Sequence, residues 1–138
     1  MTLEWPFAPV ASIRLSFGAR QKIGLVHMDE NDVLSNVCRL ALHYYTESQS
    51  PISLLQQSGY LSAPQAISCE RVTVFLREHP ELIESWKTWA EDARSAWCEQ
   101  AEGGYRVFAG PSAKPIEFTD RFEAWAEVVV RNIRHLAA

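Results

Sequence analysis

The side chains with reactive or metal-binding chemistry are few and scattered. His27, His43, His79 and His135 show no HxH or HxxxH spacing, so no local geometry brings two imidazoles to one metal ion. Cys38, Cys69 and Cys98 are odd in number and far apart, which gives neither a CxxC metal pair nor a disulfide framework. Each reads as a small buried apolar residue in a reducing compartment. No GxSxG elbow or papain-like signature places a nucleophile beside a base. Gly103-Gly104 is a doublet and not a phosphate-cradling GxGxxG or GxxxxGK, so it reads as a hairpin turn. Glu91 and Asp92 adjoin Arg94 and Trp97, a grouping that could form a small polar active site if it lined a concave pocket, although surface ion pairing is the commoner role. The pattern assigns no catalytic, cofactor-binding or metal-binding residue, and the expectation is a non-enzymatic chain without a cofactor.

The remaining concentration of chemistry is electrostatic. Glu78, Glu81, Glu84, Glu91, Asp92, Glu99 and Glu102 run through a stretch that also holds Trp86, Trp89, Trp97 and Tyr105. Such a run is usually a solvated face. Where it has a further role, carboxylates steer and hold a basic protein while an aromatic supplies the desolvated centre of the contact. The expected partner-binding set is therefore Glu84, Glu91, Asp92, Glu99 and Glu102, with Tyr105 as the anchor. A formal net charge of -4 removes the electrostatic term behind most nucleic-acid affinity, so the expected partner is a protein.

These residues need a scaffold, and composition supplies one. With 47% hydrophobic residues, including five Trp, four Tyr and six Phe, the 138-residue chain has the material for one domain with a real core. No run of about 18 apolar residues is present, and the start of the chain lacks the basic and apolar regions of a signal peptide, so a cytoplasmic protein that neither spans nor binds a membrane is expected.

Along the chain, Trp5-Pro6-Phe7-Ala8-Pro9 reads as extended. Ile13, Leu15 and Phe17 alternate with polar residues over 12–18 as in a half-buried strand, and 23–28 is either its partner or a short amphipathic helix. Asp29 and Asp32 form a capping arrangement before a helical stripe of Val33, Leu34, Val37, Cys38, Ala41 and Tyr44 or Tyr45. Ser50-Pro51 starts a short helix that Gly59 stops. Ser68 caps a helix bearing Val72, Phe75 and Leu76, and Pro80 ends it. A longer helix follows from Glu81, burying Leu82, Ile83, Trp86, Trp89, Ala90 and Ala93. At that spacing the tryptophans are core rather than a ligand platform.

Beyond Arg94 the pattern becomes a hairpin, 97–99 with 105–108 around the glycine doublet, and Ile116-Glu117-Phe118 is a candidate third strand. Asp120 and Glu123 cap a final amphipathic helix burying Phe122, Trp125, Ala126, Val129, Ile133 and Leu136. The fold class is thus α+β: a mostly helical N-terminal part, a small antiparallel sheet and a C-terminal amphipathic helix packed on it. The two short helices before Pro80 do not make a helix-turn-helix, because the loop between them is too long and the second lacks a basic face.

The segment Ile67-Ser68-Cys69-Glu70-Arg71-Val72, Phe75-Leu76, His79-Pro80-Glu81-Leu82-Ile83, Trp86, Trp89, Glu91-Asp92 and Arg94, followed by the Trp97 and Tyr105 hairpin and the Asp120 helix, resembles small bacterial immunity proteins. These accompany polymorphic or secretion-system toxins. The resemblance implies a cytoplasmic, non-enzymatic antitoxin that binds one cognate toxin domain and blocks its active site. An alternative from another class is a small phage- or plasmid-type regulatory or adaptor domain that binds a host protein or self-associates.

Overall fold

Four helices begin where a short polar side chain accepts an amide that the first helical turn leaves without a partner. Asp29 Oδ1 accepts from the Asp32 N–H at 2.8 Å, Ser50 Oγ from Ser53 at 3.1 Å, Ser68 Oγ from Arg71 at 3.2 Å and Asp120 Oδ2 from Glu123 at 2.9 Å. The computed structural model describes residues 28–110 and 113–138. There these caps open α1 (Glu30–Cys38), α3 (Pro51–Ser58), α4 (Cys69–Glu78) and α6 (Arg121–Ala137). Between them lie α2 (Leu40–Thr46) and α5 (Leu82–Ala93), neither with a side-chain cap. The segments expected over 5–9 and 12–18, and over 23–28 apart from Met28, lie outside the described residues.

Gly59 closes α3 in the left-handed conformation at φ 89°, where only glycine avoids a steric cost. After α5 the chain forms a three-stranded antiparallel sheet in the order β1 (Trp97–Ala101), β2 (Gly104–Phe108), β3 (Ile116–Phe118). Trp97 lies opposite Phe108, Glu99 opposite Arg106 and Tyr105 opposite Phe118. Because residues alternate between faces, Cys98, Tyr105, Val107 and Phe118 point to the core, while Trp97, Glu99, Arg106, Phe108 and Glu117 point away from it. Gly104 is fixed by a close approach: a Cβ there would lie 2.2 Å from the Phe118 carbonyl oxygen.

The fold is α+β, as the sequence pattern indicates, with α6 at its centre. This helix packs on α4, on α3 and on all three strands. It buries Ala124, Trp125, Ala126, Val128, Val129, Val130, Asn132 and Ile133, a wider arc than the single stripe expected, because helices cover one side of it and the sheet another. Phe122 and Leu136, placed in that stripe, are only half-buried at its margins.

Asn132 is 2% exposed and serves the segment that carries the chain from α5 into β1. Its Nδ2 donates to the Ala96 carbonyl at 3.2 Å, and its Oδ1 accepts from the Ser95 hydroxyl at 2.6 Å. The burial of an amide side chain is thereby matched by two hydrogen bonds.

A further expectation is corrected. The stripe from Val33 to Tyr45 implied a single helix, but the helix breaks at Arg39, which adopts φ −93° and ψ 1°. The buried residues Val33, Leu34, Val37, Cys38, Leu40, Ala41 and His43 would cover more than half of the circumference of a straight helix advancing about 100° per residue. The break separates two short helices, and each contributes buried residues to the core. Trp86, itself fully buried, donates its indole N–H to the Cys38 carbonyl at that break, at 2.8 Å.

Candidate functional site

α2 packs against α5, and an aromatic ladder spans the contact. From the core outward, Trp86 packs on Trp89 with ring centres 5.6 Å apart, Trp89 on Tyr44 at 5.4 Å and Tyr44 on Tyr45 at 5.0 Å. The last two contacts are edge-to-face, the favoured geometry for aromatic quadrupoles. Tyr44 and Tyr45 are 37% and 40% exposed, so the ladder begins in the core and ends in solvent. The sequence pattern had put one of these tyrosines in the buried stripe; the outer end of the ladder was missed. The available signal was the phenol itself, an apolar ring with a polar tip that suits a boundary position.

The Tyr45 hydroxyl donates to Asp92 Oδ2 at 2.6 Å, which anchors the ladder to the C-terminal turn of α5. Partial burial, then this hydrogen bond and the Asp92 charge, hold the phenol well above its ordinary pKa. Tyr45 is therefore a fixed donor at any physiological pH. Glu91 stands beside Asp92, and the last turn of α5 carries no basic residue. Carboxylates at a helix C-terminus face the negative end of the helix dipole and cost about 0.3–1 kcal/mol each.

Nearby cations are engaged elsewhere. Lys87 Nζ lies 3.8 Å from Glu84, and the Arg94 guanidinium stacks on the Trp97 ring at 4.0 Å. Trp97 is stacked in turn on Phe108, 5.3 Å away and nearly parallel. Arg94, Trp97 and Phe108 thus form one stack on the surface beyond α5. Arg94 reaches its place from a left-handed backbone, φ 55°, as the C-terminal cap of α5. Four carboxylates have an arginine partner: Glu30 with Arg71, Asp120 with Arg77, Glu117 with Arg106 and Glu127 with Arg131. Glu91 and Asp92 have no cationic partner among the described residues, in common with Glu70, Glu78, Glu99, Glu102 and Glu123.

The six residues expected to bind a partner fall into separate places. Glu91 and Asp92 flank the exposed tyrosines. Glu84 is exposed on the face of α5 that it shares with Glu91, two turns earlier. Glu99 lies on the outward face of the sheet and accepts from Trp97 Nε1 at 3.1 Å, and Glu102 is exposed in the turn between β1 and β2. Tyr105 is half-buried against the core, on the opposite face of the sheet from Glu99. The exposed aromatic next to the carboxylates is thus Tyr45, not Tyr105.

Below this corner, His43 is 9% exposed, and its Nδ1 lies 2.8 Å from Glu47. Burial, aided by the Arg39 charge, lowers its pKa to about 4. At neutral pH it is uncharged, and the contact is a hydrogen bond that the Nδ1–H donates.

A second feature is a depression of about 330 Å³ between α4, the start of α6 and β3, lined by Cys69, Thr73, Val74, Arg77, Phe118 and Glu123. Its cation, Arg77, is paired with Asp120 at 2.9 Å. Cys69 Sγ donates to Glu127 Oε1 at 3.2 Å, and burial with that carboxylate pushes the thiol up to about 11. Burial pushes Cys98 up to about 11 as well. Both thiols are protonated at neutral pH and poor nucleophiles there. Among the described residues no group of three His, Cys, Asp or Glu could hold a metal ion, and no helix is long and apolar enough to cross a membrane.

Comparison with protein-family models, curated proteins and solved structures returned no match.

Proposed function

We propose that this protein is a binding module of the immunity type, which neutralises a toxin or effector by presenting an acidic, aromatic surface to a basic face of that partner. The observation that carries the reading is the exposed end of the aromatic ladder, Tyr44 and Tyr45, beside two carboxylates that no cation of the described chain neutralises. Aromatic side chains on a rigid support are favoured centres of protein interfaces, and surrounding charge of one sign accelerates and orients the approach of the opposite sign. The net charge of -4 adds a long-range field of the same sign.

The test is co-purification of the tagged chain with the product of the adjacent gene, at low and moderate salt. The expected result is a stoichiometric complex with a basic domain, formed more slowly as salt screens the approach, together with protection of cells that express that domain. Recovery of the chain alone or only as a homo-oligomer, with no protection, rejects the immunity reading in favour of a regulatory or adaptor domain.

A further inference from the structure

Resting on that reading of the α2–α5 surface, we infer that the corner built by Tyr44, Tyr45, Glu91 and Asp92 receives an arginine side chain of the basic protein partner. Three observations converge on a guanidinium. The first is charge. Two carboxylates occupy the turn where the helix dipole already favours a cation, and the cations nearest in sequence are turned away, Lys87 toward Glu84 and Arg94 onto Trp97. A cation from outside the chain satisfies the helix end and both carboxylates together.

The second is shape. The rings of Tyr44 and Tyr45 stand 75° apart at 5.0 Å, both partly open to solvent, so a flat cation can stack on an open ring face. The third is donor geometry. The Tyr45 hydroxyl holds Asp92 by Oδ2, which fixes the carboxylate and leaves Oδ1 without a protein donor among the described residues. A planar guanidinium has enough N–H groups to serve that oxygen and Glu91 while stacked, whereas a lysine ammonium is a compact, strongly hydrated charge without a stacking face. A local arrangement that works against the stability of its own helix is a mark of function.

The experiment uses blocked hexa-arginine and hexa-lysine peptides as probes at low salt, followed by backbone and aromatic NMR shifts of the full chain. Hexa-arginine is expected to bind roughly tenfold more tightly than hexa-lysine and to move the resonances of Tyr44, Tyr45, Trp89 and Asp92. The double variant E91Q/D92N, which keeps a neutral acceptor for the Tyr45 hydroxyl, is expected to weaken hexa-arginine binding roughly tenfold. Equal affinity for the two peptides, shifts centred on another surface, or unchanged hexa-arginine binding by the variant would overturn the assignment. The two levels of the argument separate cleanly. A wild-type chain that selects hexa-arginine yet retains no partner keeps the corner and removes the immunity role. A variant that holds its partner at wild-type affinity keeps the binding module and removes the corner.

Discussion

The C-terminal ends of α5 and α6 are built with opposite electrostatics. α6 finishes with Arg134 and His135 in its last turn, the sign that suits the exposed carbonyls of a helix end. α5 has Glu91 and Asp92 in its last turn and no basic residue there, and its C-cap Arg94 turns onto Trp97. The two ends are mechanically joined, since Asn132, late in α6, holds Ser95 and Ala96 just beyond α5. One chain therefore uses the stabilising arrangement at one helix end and the destabilising one at another to which it is tied. The difference separates charge placed for folding from charge placed for recognition.

The tie between the ends gives the largest expected effect. Asn132→Ala leaves the Ala96 carbonyl and the Ser95 hydroxyl without their buried partner and should cost about 2–3 kcal/mol, read as a lower denaturant midpoint at unchanged slope. An unchanged midpoint would mean that the two ends are held together by packing alone.

An intermediate effect is expected from His43, on the helix that carries the tyrosines. Its folded-state pKa, about 4, lies below its ordinary value of 6.5. The stability it contributes is therefore fully present above pH 6.5 and is lost as the pH falls toward 4. Between pH 7 and pH 5 the loss should be on the order of 1–2 kcal/mol, and His43→Gln should flatten that part of the pH–stability curve. An equally steep curve in the variant would assign the acid sensitivity to other groups.

The smallest effect tests the comparison itself. Arg134→Gln should destabilise by about 0.3–1 kcal/mol, whereas Glu91→Gln should stabilise by a similar amount. Shifts of the same sign in thermal unfolding would show that the two helix ends are not electrostatic opposites.

Much of the scaffold was legible in the sequence because its signals are local. Asp29, Ser50, Ser68 and Asp120 each accept an amide three residues on, and Gly59 takes the one conformation that favours it, so these boundaries follow from chemistry within a single turn. The three strands were read from alternation and the glycine doublet. The corner was legible only in part, because it is a tertiary product. Glu91 and Asp92 were singled out by charge, but their aromatic neighbours lie 47 residues earlier, as the Tyr45–Asp92 bond measures. They lie on α2, beyond the break at Arg39, for which the apolar stripe carried no glycine or proline signal. Tyr105 was chosen by nearness in sequence, and the parity of the strand places it with Val107 and Phe118 on the inward face.

The position of α6 bears on how the protein is made. All the other described elements precede it in the chain, yet it is the piece on which α3, α4 and the sheet converge. During synthesis α3, α4 and the sheet leave the ribosome before the helix on which they pack. The core closes only when α6 emerges, so the nascent chain passes through a stage of exposed apolar surface, the stage at which chaperones and proteases compete for it.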